Sequence, residues 1–197
     1  MSFVRIPISW RTLIGTKNET NNVNIAVKEA KENDIFITQL ENNIDAVIYG
    51  LKQAKEKNMI TIFNPAPAKV LDNDIYNYID YLILNEIEGK DLTNEEDDFK
   101  VLESLKEMYP TTHVLLTRGS KGVIYAYKDV MIEQPAYKVE AVDTTAAGDT
   151  FIGYFISGLV RQLEMTEILK LASKASSITV TRKGSSSSIP TLDEVQK

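Results

Sequence analysis

Four short apolar runs, each closed by polar residues and separated by stretches with helical spacing, set the strongest limit on this chain's fold. The runs are 34–40 (Asp34-Ile35-Phe36-Ile37-Thr38-Gln39-Leu40), 59–63 (Met59-Ile60-Thr61-Ile62-Phe63), 81–84 (Tyr81-Leu82-Ile83-Leu84) and 113–117 (His113-Val114-Leu115-Leu116-Thr117). Between the first two, Ile44, Val47, Ile48, Leu51 and Ala54 share one helical face over 44–57. A short helix is expected near 70–78. Another is expected to start at Thr93-Asn94-Glu95-Glu96 and run to about Met108. Strands alternating with helices in this way predict an α/β fold, a parallel sheet covered on both faces. In such sheets ligands sit beyond the carboxyl ends of the strands. Asn64, Asn85, Thr117 and the stretch after Val142 all fall at that end.

Composition narrows the chemistry. The 197 residues are 43% hydrophobic and 25% charged, and bury one sizeable core, with one domain the default. A formal net charge of -6 offers no basic face, so neither nucleic acid nor membrane is expected as a partner. Without cysteine, thiolate nucleophiles and zinc-thiolate sites are excluded. The single histidine, His113, reads as an exposed strand-start residue, which argues against a Ser-His-Asp triad. With no apolar run of membrane-spanning length and no signal-peptide pattern, a cytoplasmic setting is expected. Neither a P-loop, nor a Gly-x-Gly-x-x-Gly after the first strand, nor the protein-kinase loops occur.

Asp143-Thr144-Thr145-Ala146-Ala147-Gly148-Asp149-Thr150-Phe151 carries the most chemistry. Its small residues allow close backbone approach to a ligand. A helix beginning near Ala147 would present unpaired amides and the positive end of its dipole, which together suit phosphate. A carboxylate, Asp149, in the same turn has two readings: a helix cap, shared with Asp143, or a general base that deprotonates an attacking hydroxyl. That helix is expected to reach about Leu163. The next spans about 166–178 with Ile168, Leu171, Ala172 and Ala175 inward. A hairpin is expected after Gly119-Ser120-Lys121-Gly122, and the end, through Ser185-Ser186-Ser187-Ser188, reads as a polar turn-rich tail.

The 143–151 stretch resembles the C-terminal signature of the ribokinase-like carbohydrate kinases, the phosphofructokinase-B superfamily. Supporting pieces occur in order over about residues 15 to 195. They are Gln39-Leu40-Glu41, Asn64-Pro65-Ala66-Pro67-Ala68, Asn85-x-x-Glu88, Thr117-x-Gly119-x-x-Gly122 and Val180-Thr181-Arg182-Lys183-Gly184. The resemblance implies a three-layer fold with a mostly parallel central sheet, and transfer of the ATP γ-phosphoryl group to a sugar hydroxyl. It makes Asp149 the base and the amides of Ala146, Ala147 and Gly148 the anion hole. Asn85 and Glu88 would hold the Mg2+-phosphate region, where Glu88 by itself reads as a solvated helix carboxylate. Thr117, Gly119 and Gly122 would line the nucleotide, with Ser173 beside the adenine in place of the usual Asn or His. Asp143, Thr145, Thr179, Arg182, Gly184 and Ser188 match loops that coordinate a monovalent cation, K+, largely through backbone oxygens.

The resemblance also implies an N-terminal portion, bearing the sugar-binding residues and a lid, that is not recognisable in this chain. Residues 1–24 read as a lid or linker remnant and 25–197 as the nucleotide-binding and catalytic domain. On that basis the isolated chain is expected to be a poor kinase or none, since nothing holds or shields the sugar. A sheet edge left open by missing strands is expected to favour self-association, as a homodimer for instance. The competing readings are a non-catalytic nucleotide-binding module and a kinase for another sugar or a nucleoside.

Overall fold

Strand β1 (Ile35–Gln39) and strand β2 (Ile60–Asn64) pair in parallel, with Ile35 opposite Ile60 and Gln39 opposite Asn64. Strand β3 (Tyr81–Asn85) joins β2 in parallel, Phe63 facing Leu82. With β4 (His113–Thr117), β5 (Val123–Tyr127) and β6 (Val130–Gln134) they form a six-stranded sheet in simple sequence order. The computed structural model describes residues 23–24, 27–41, 43–66 and 73–197. The expected strand at 4–8, nearly all of the 1–24 remnant, Pro67, Ala68 and the start of the 70–78 helix lie outside the described residues. Two compact units divide the chain: one extends to Leu116 and takes in Ala126–Val130, the other comprises Thr117–Tyr125 and Met131–Lys197.

In the first unit the apolar runs of β2, β3 and β4 are buried on both faces, as parallel strands allow. Ile62, Phe63, Leu82, Val114, Leu115 and Leu116 are fully buried. Helix α1 (Ile44–Glu56) is capped by Asn43, whose side chain accepts from the Ala46 amide. It buries Val47, Leu51 and Ala54 as its spacing predicts, and adds Ala46 and Gly50 where Ile44 and Ile48 are only half-buried. Gly50 is required by packing: a Cβ there would come within 2.6 Å of the Phe36 ring. A 3-10 helix over Asn73–Tyr78 precedes β3, and β1 leaves Ile37 42% exposed.

Two expectations change. The Thr93-Asn94-Glu95-Glu96 start signal is not a helix start. It closes helix α2 (Glu86–Thr93), with Asn94 left-handed at φ 57 and its amide on the Lys90 carbonyl. Helix α3 (Asp98–Met108) begins later, because the Asp97 carboxylate caps it from the amides of Phe99 and Lys100. His113 is not an exposed strand-start residue either. It is half-buried, stacked between Tyr81 and Tyr127 with ring centroids 4.5 and 3.7 Å away. Burial, foremost, and the nearby Lys128 charge push its imidazole down to about 4.

In the second unit, helix α4 (Ala147–Val160) packs along helix α5 (Met165–Val180). Phe151, Ile152 and Phe155 are buried from α4, and Ile168, Leu169, Ala172 and Ala175 from α5, with Leu171 half-buried. The polar tail is in fact packed structure. Ser188 is fully buried, and a short helix, α6 (Leu192–Gln196), carries a capping box between Thr191 and Glu194 and buries Val195. Among the described residues no helix is long and apolar enough to cross a membrane.

Candidate active site

Ala146 is the residue on which the 143–151 turn pivots. Its φ of 61 is left-handed, an unfavourable state for a residue with a Cβ, and it occupies the N-cap of α4 with no side-chain cap bond. Neither aspartate therefore caps this helix through its side chain. The Asp143 carboxylate instead braces loops: Oδ1 accepts from the Thr145 amide at 2.9 Å and Oδ2 from the Gly184 amide at 3.1 Å. Hydrogen bonding from Thr145, then from Gly184, holds that carboxyl down at about 2. Asp149 stands exposed in the first turn of α4.

One of the three expected donors of this turn is engaged within it. The Ala147 amide is turned to the Thr144 carbonyl at 3.3 Å, and the Thr150 amide reaches Ala146 at 2.9 Å. The amides of Ala146, Gly148 and Asp149 have no acceptor among the described residues. A Cβ on Gly148 would meet nothing within 4 Å, so open space lies beside those donors. The turn is built as helix N-termini that receive anions are built.

Asn85 and Glu88 lie in the first unit and do come together, as a reciprocal capping box. The Asn85 side chain accepts from the Glu88 amide, and the Glu88 carboxylate accepts from the Asn85 amide, each at 2.9 Å. Glu88 is buried rather than solvated, and that burial raises its carboxyl above the usual range despite the bonds from Asn85. The strand ends beside it are linked as well: Gln39 Nε2 donates to Asn64 Oδ1, and Asn64 Nδ2 donates to the Ile83 carbonyl.

Gly119 and Gly122 part company. Both have positive φ, 52 and 102, but a Cβ on Gly119 would enter open space. One on Gly122 would lie 2.1 Å from the Gln134 carbonyl oxygen and 2.6 Å from the Ala136 amide. Close backbone approach accounts for Gly122 without a nucleotide, whereas Gly119 has no such internal reason. Thr117, at the end of β4, is half-buried, and Ser173 is buried on α5.

The expected cation residues are partly gathered. The Asp143 carboxylate joins Thr145 to Gly184, and the amides of Val142 and Asp143 both donate to the Val180 carbonyl, at 2.7 and 3.1 Å. The Arg182 side chain is held away by Glu194 at 2.6 Å, and its amide bonds the Thr179 carbonyl. The Ser188 hydroxyl donates to the Ser185 carbonyl at 2.6 Å. This donor set of carbonyls, hydroxyls and one firmly ionised carboxylate suits a hard cation.

The first unit is an α/β sheet with polar strand ends, and the second carries a helix whose uncapped N-terminus bears an exposed carboxylate; each is a feature that ligand-binding α/β proteins use. The sequence matches the pfkB family carbohydrate kinase description over residues 11–192, and the chain belongs to that family. It is 40% identical over 170 residues to the ribokinase of Staphylococcus aureus (strain COL), which covers 83% of this chain and 56% of that protein. The ribokinase structure from Thermotoga maritima superposes with a TM-score of 0.75 at 34% identity, over 98% of this chain and 60% of that one. The Arabidopsis thaliana ribokinase complexed with ribose and ATP gives a TM-score of 0.77 at 26% identity, covering 93% of this chain and 59% of that one. The chain thus spans little more than half the length of these relatives.

Proposed function

We propose that this chain carries the phosphoryl-transfer machinery of an ATP-dependent sugar kinase, with ribose or a similar sugar as acceptor. The carrying observation is one turn of helix: amides at Ala146, Gly148 and Asp149 with no acceptor among the described residues, and the exposed Asp149 carboxylate among them. Phosphoryl transfer needs chiefly positioning and charge stabilisation, and this turn offers a base beside an anion site. Asp149 accepts the proton of the attacking sugar hydroxyl. The turn's amides stabilise the charge on the phosphoryl oxygens as it moves. Thr117 and Gly119 line the nucleotide, and Ser173 lies by the adenine.

Mg2+, when bound, would supply positive charge that offsets the charge developing on the phosphate. Asn85 and Glu88 would hold it, mostly through water, and carboxylate and amide oxygens are donors it accepts. The 143–145 and 179–188 loops would hold the monovalent cation through their oxygens, with Arg182 contributing its carbonyl since its side chain is engaged by Glu194. With ATP as donor, the cytoplasm is the proposed setting.

The test is ADP release from ATP and ribose by the chain, with Asp149→Asn as control. Loss of the base is expected to lower turnover by roughly 10²–10⁴-fold while ATP still binds. ATP binding without turnover by the unaltered chain, or an undiminished rate in the variant, refutes the proposal.

A further inference from the structure

The turn bearing Gly148 and Asp149 is not held by a cap of its own, since Ala146 offers no side-chain bond to it. It is held from α5. The Ser176 hydroxyl donates to the Ala147 carbonyl at 2.9 Å. One turn further on, the Thr150 and Thr179 hydroxyls bond each other at 3.1 Å, both residues buried. Thr179 Oγ1 also lies 3.2 Å from the Ala175 carbonyl. With a single proton per hydroxyl, Thr179 donates to that carbonyl and accepts from Thr150.

Ser176 departs from what a helical serine does by default. The usual partner is a carbonyl three or four residues back on the same helix, and the neighbouring Ser177 takes that course, donating to Lys174 at 2.7 Å. Ser176 reaches across to another helix instead. The carbonyl it meets belongs to the first residue of α4, and a carbonyl oxygen can accept a second bond alongside its helical one. Apolar packing does not need this bond. The α4–α5 contact is secured by Phe155, which is fully buried, and by Gly158, where a Cβ would come within 2.8 Å of Ile168.

We propose that Ser176 is a positioning residue for phosphoryl transfer: its hydroxyl fixes the first turn of α4 against α5 and so sets the place of the Gly148 amide and the Asp149 carboxylate. This rests on the reading of Asp149 as the base. Ser176→Ala removes the tether with almost no change in volume, and Ser176→Thr keeps the hydroxyl.

Amide hydrogen exchange on the full chain tests it, read at Thr150 and Phe151, whose amides close the first turn on the Ala146 and Ala147 carbonyls, with Leu115 and Ile62 as core references. In Ser176→Ala the two first-turn amides are expected to exchange about fivefold faster, the equivalent of one ordinary hydrogen bond, with the references unmoved. Ser176→Thr is expected to stay within about twofold of the parent at all four. Where the chain turns over ribose, kcat of Ser176→Ala is expected to fall by a similar factor at unchanged KM for ATP. Unaltered first-turn exchange, equal loss of protection at the core references, or an effect confined to KM each overturns the inference. An unaltered chain without turnover counts against the kinase reading instead, and the exchange measurement still decides the role of Ser176.

Discussion

Replacing Gly122 with alanine separates a glycine required by the fold from one required by a ligand. At φ 102 and ψ -138 the backbone of Gly122 lies where L residues are strained, which costs about 1–3 kcal/mol. Its Cβ would also sit 2.1 Å from the Gln134 oxygen, 2.6 Å from the Ala136 nitrogen and 2.8 Å from the Pro135 carbonyl carbon. All three are backbone atoms, so no side-chain rotation relieves the clash, and overpacking of this kind costs about 1–3 kcal/mol more. Together, about 2–6 kcal/mol is a large part of the stability of a typical domain. For a chain of this size it corresponds to a fall in Tm of roughly 4–24 °C. Gly119→Ala bears only the left-handed penalty at φ 52, about 1–2 kcal/mol, because its Cβ meets nothing. Thermal unfolding of both variants, with ATP binding by calorimetry, is the assay. Gly122→Ala is expected to lose the more stability, and Gly119→Ala to lose the more ATP affinity for its change in Tm. A Gly122→Ala protein melting within 2 °C of the parent, against the roughly 4–24 °C expected, would refute the steric argument.

Two titrations check the electrostatics. As the only histidine, His113 gives unambiguous imidazole resonances, and their midpoint is expected at about 4 instead of the usual 6.5. The folded state favours the neutral ring, so the stability tied to His113 is complete above pH 6.5 and is lost as pH falls toward about 4. A midpoint near 6.5 would show the Tyr81–His113–Tyr127 stack to be open to water. The Asp143 carboxyl, followed by carbon NMR, is expected to titrate at about 2 instead of 3.8. Its bracing of Thr145 and Gly184 is then in place above pH 3.8 and is lost as pH falls through about 2, and a midpoint of 3.8 contradicts the double acceptor geometry.

Much of the fold is legible because parallel strands leave a coarse signal. Runs such as 82–84 and 114–116 are apolar at every position since both faces are buried, and helix faces such as that of Val47, Leu51 and Ala54 repeat at 3.6 residues. The misreadings share a cause. The Thr93–Glu96 segment has the composition of a helix start, yet left-handed Asn94 ends α2 there and Asp97 caps α3. The serine run has the composition of a flexible tail, yet Ser188 is buried and α6 packs through Val195. Strand β6 is not marked in the sequence because its apolar run, Val130-Met131-Ile132, is only three residues long and lies largely exposed. Composition records what a segment can tolerate, and long-range contacts choose among the tolerated states.

The site divides along the same line. The residue types at 143–151 and their order are written in the sequence, and they suffice to mark a small-residue turn, a carboxylate and a helix to follow. Only tertiary structure decides that Asp143 braces Gly184 instead of capping α4, that the Ala147 amide turns to Thr144, and that Gly122 answers to the backbone of 134–136. It alone brings Ser176 to Ala147, twenty-nine positions away in the chain. Local sequence sets which groups are present and which turn they prefer. Where each donor and acceptor points is set by partners that only folding brings within 3 Å of one another.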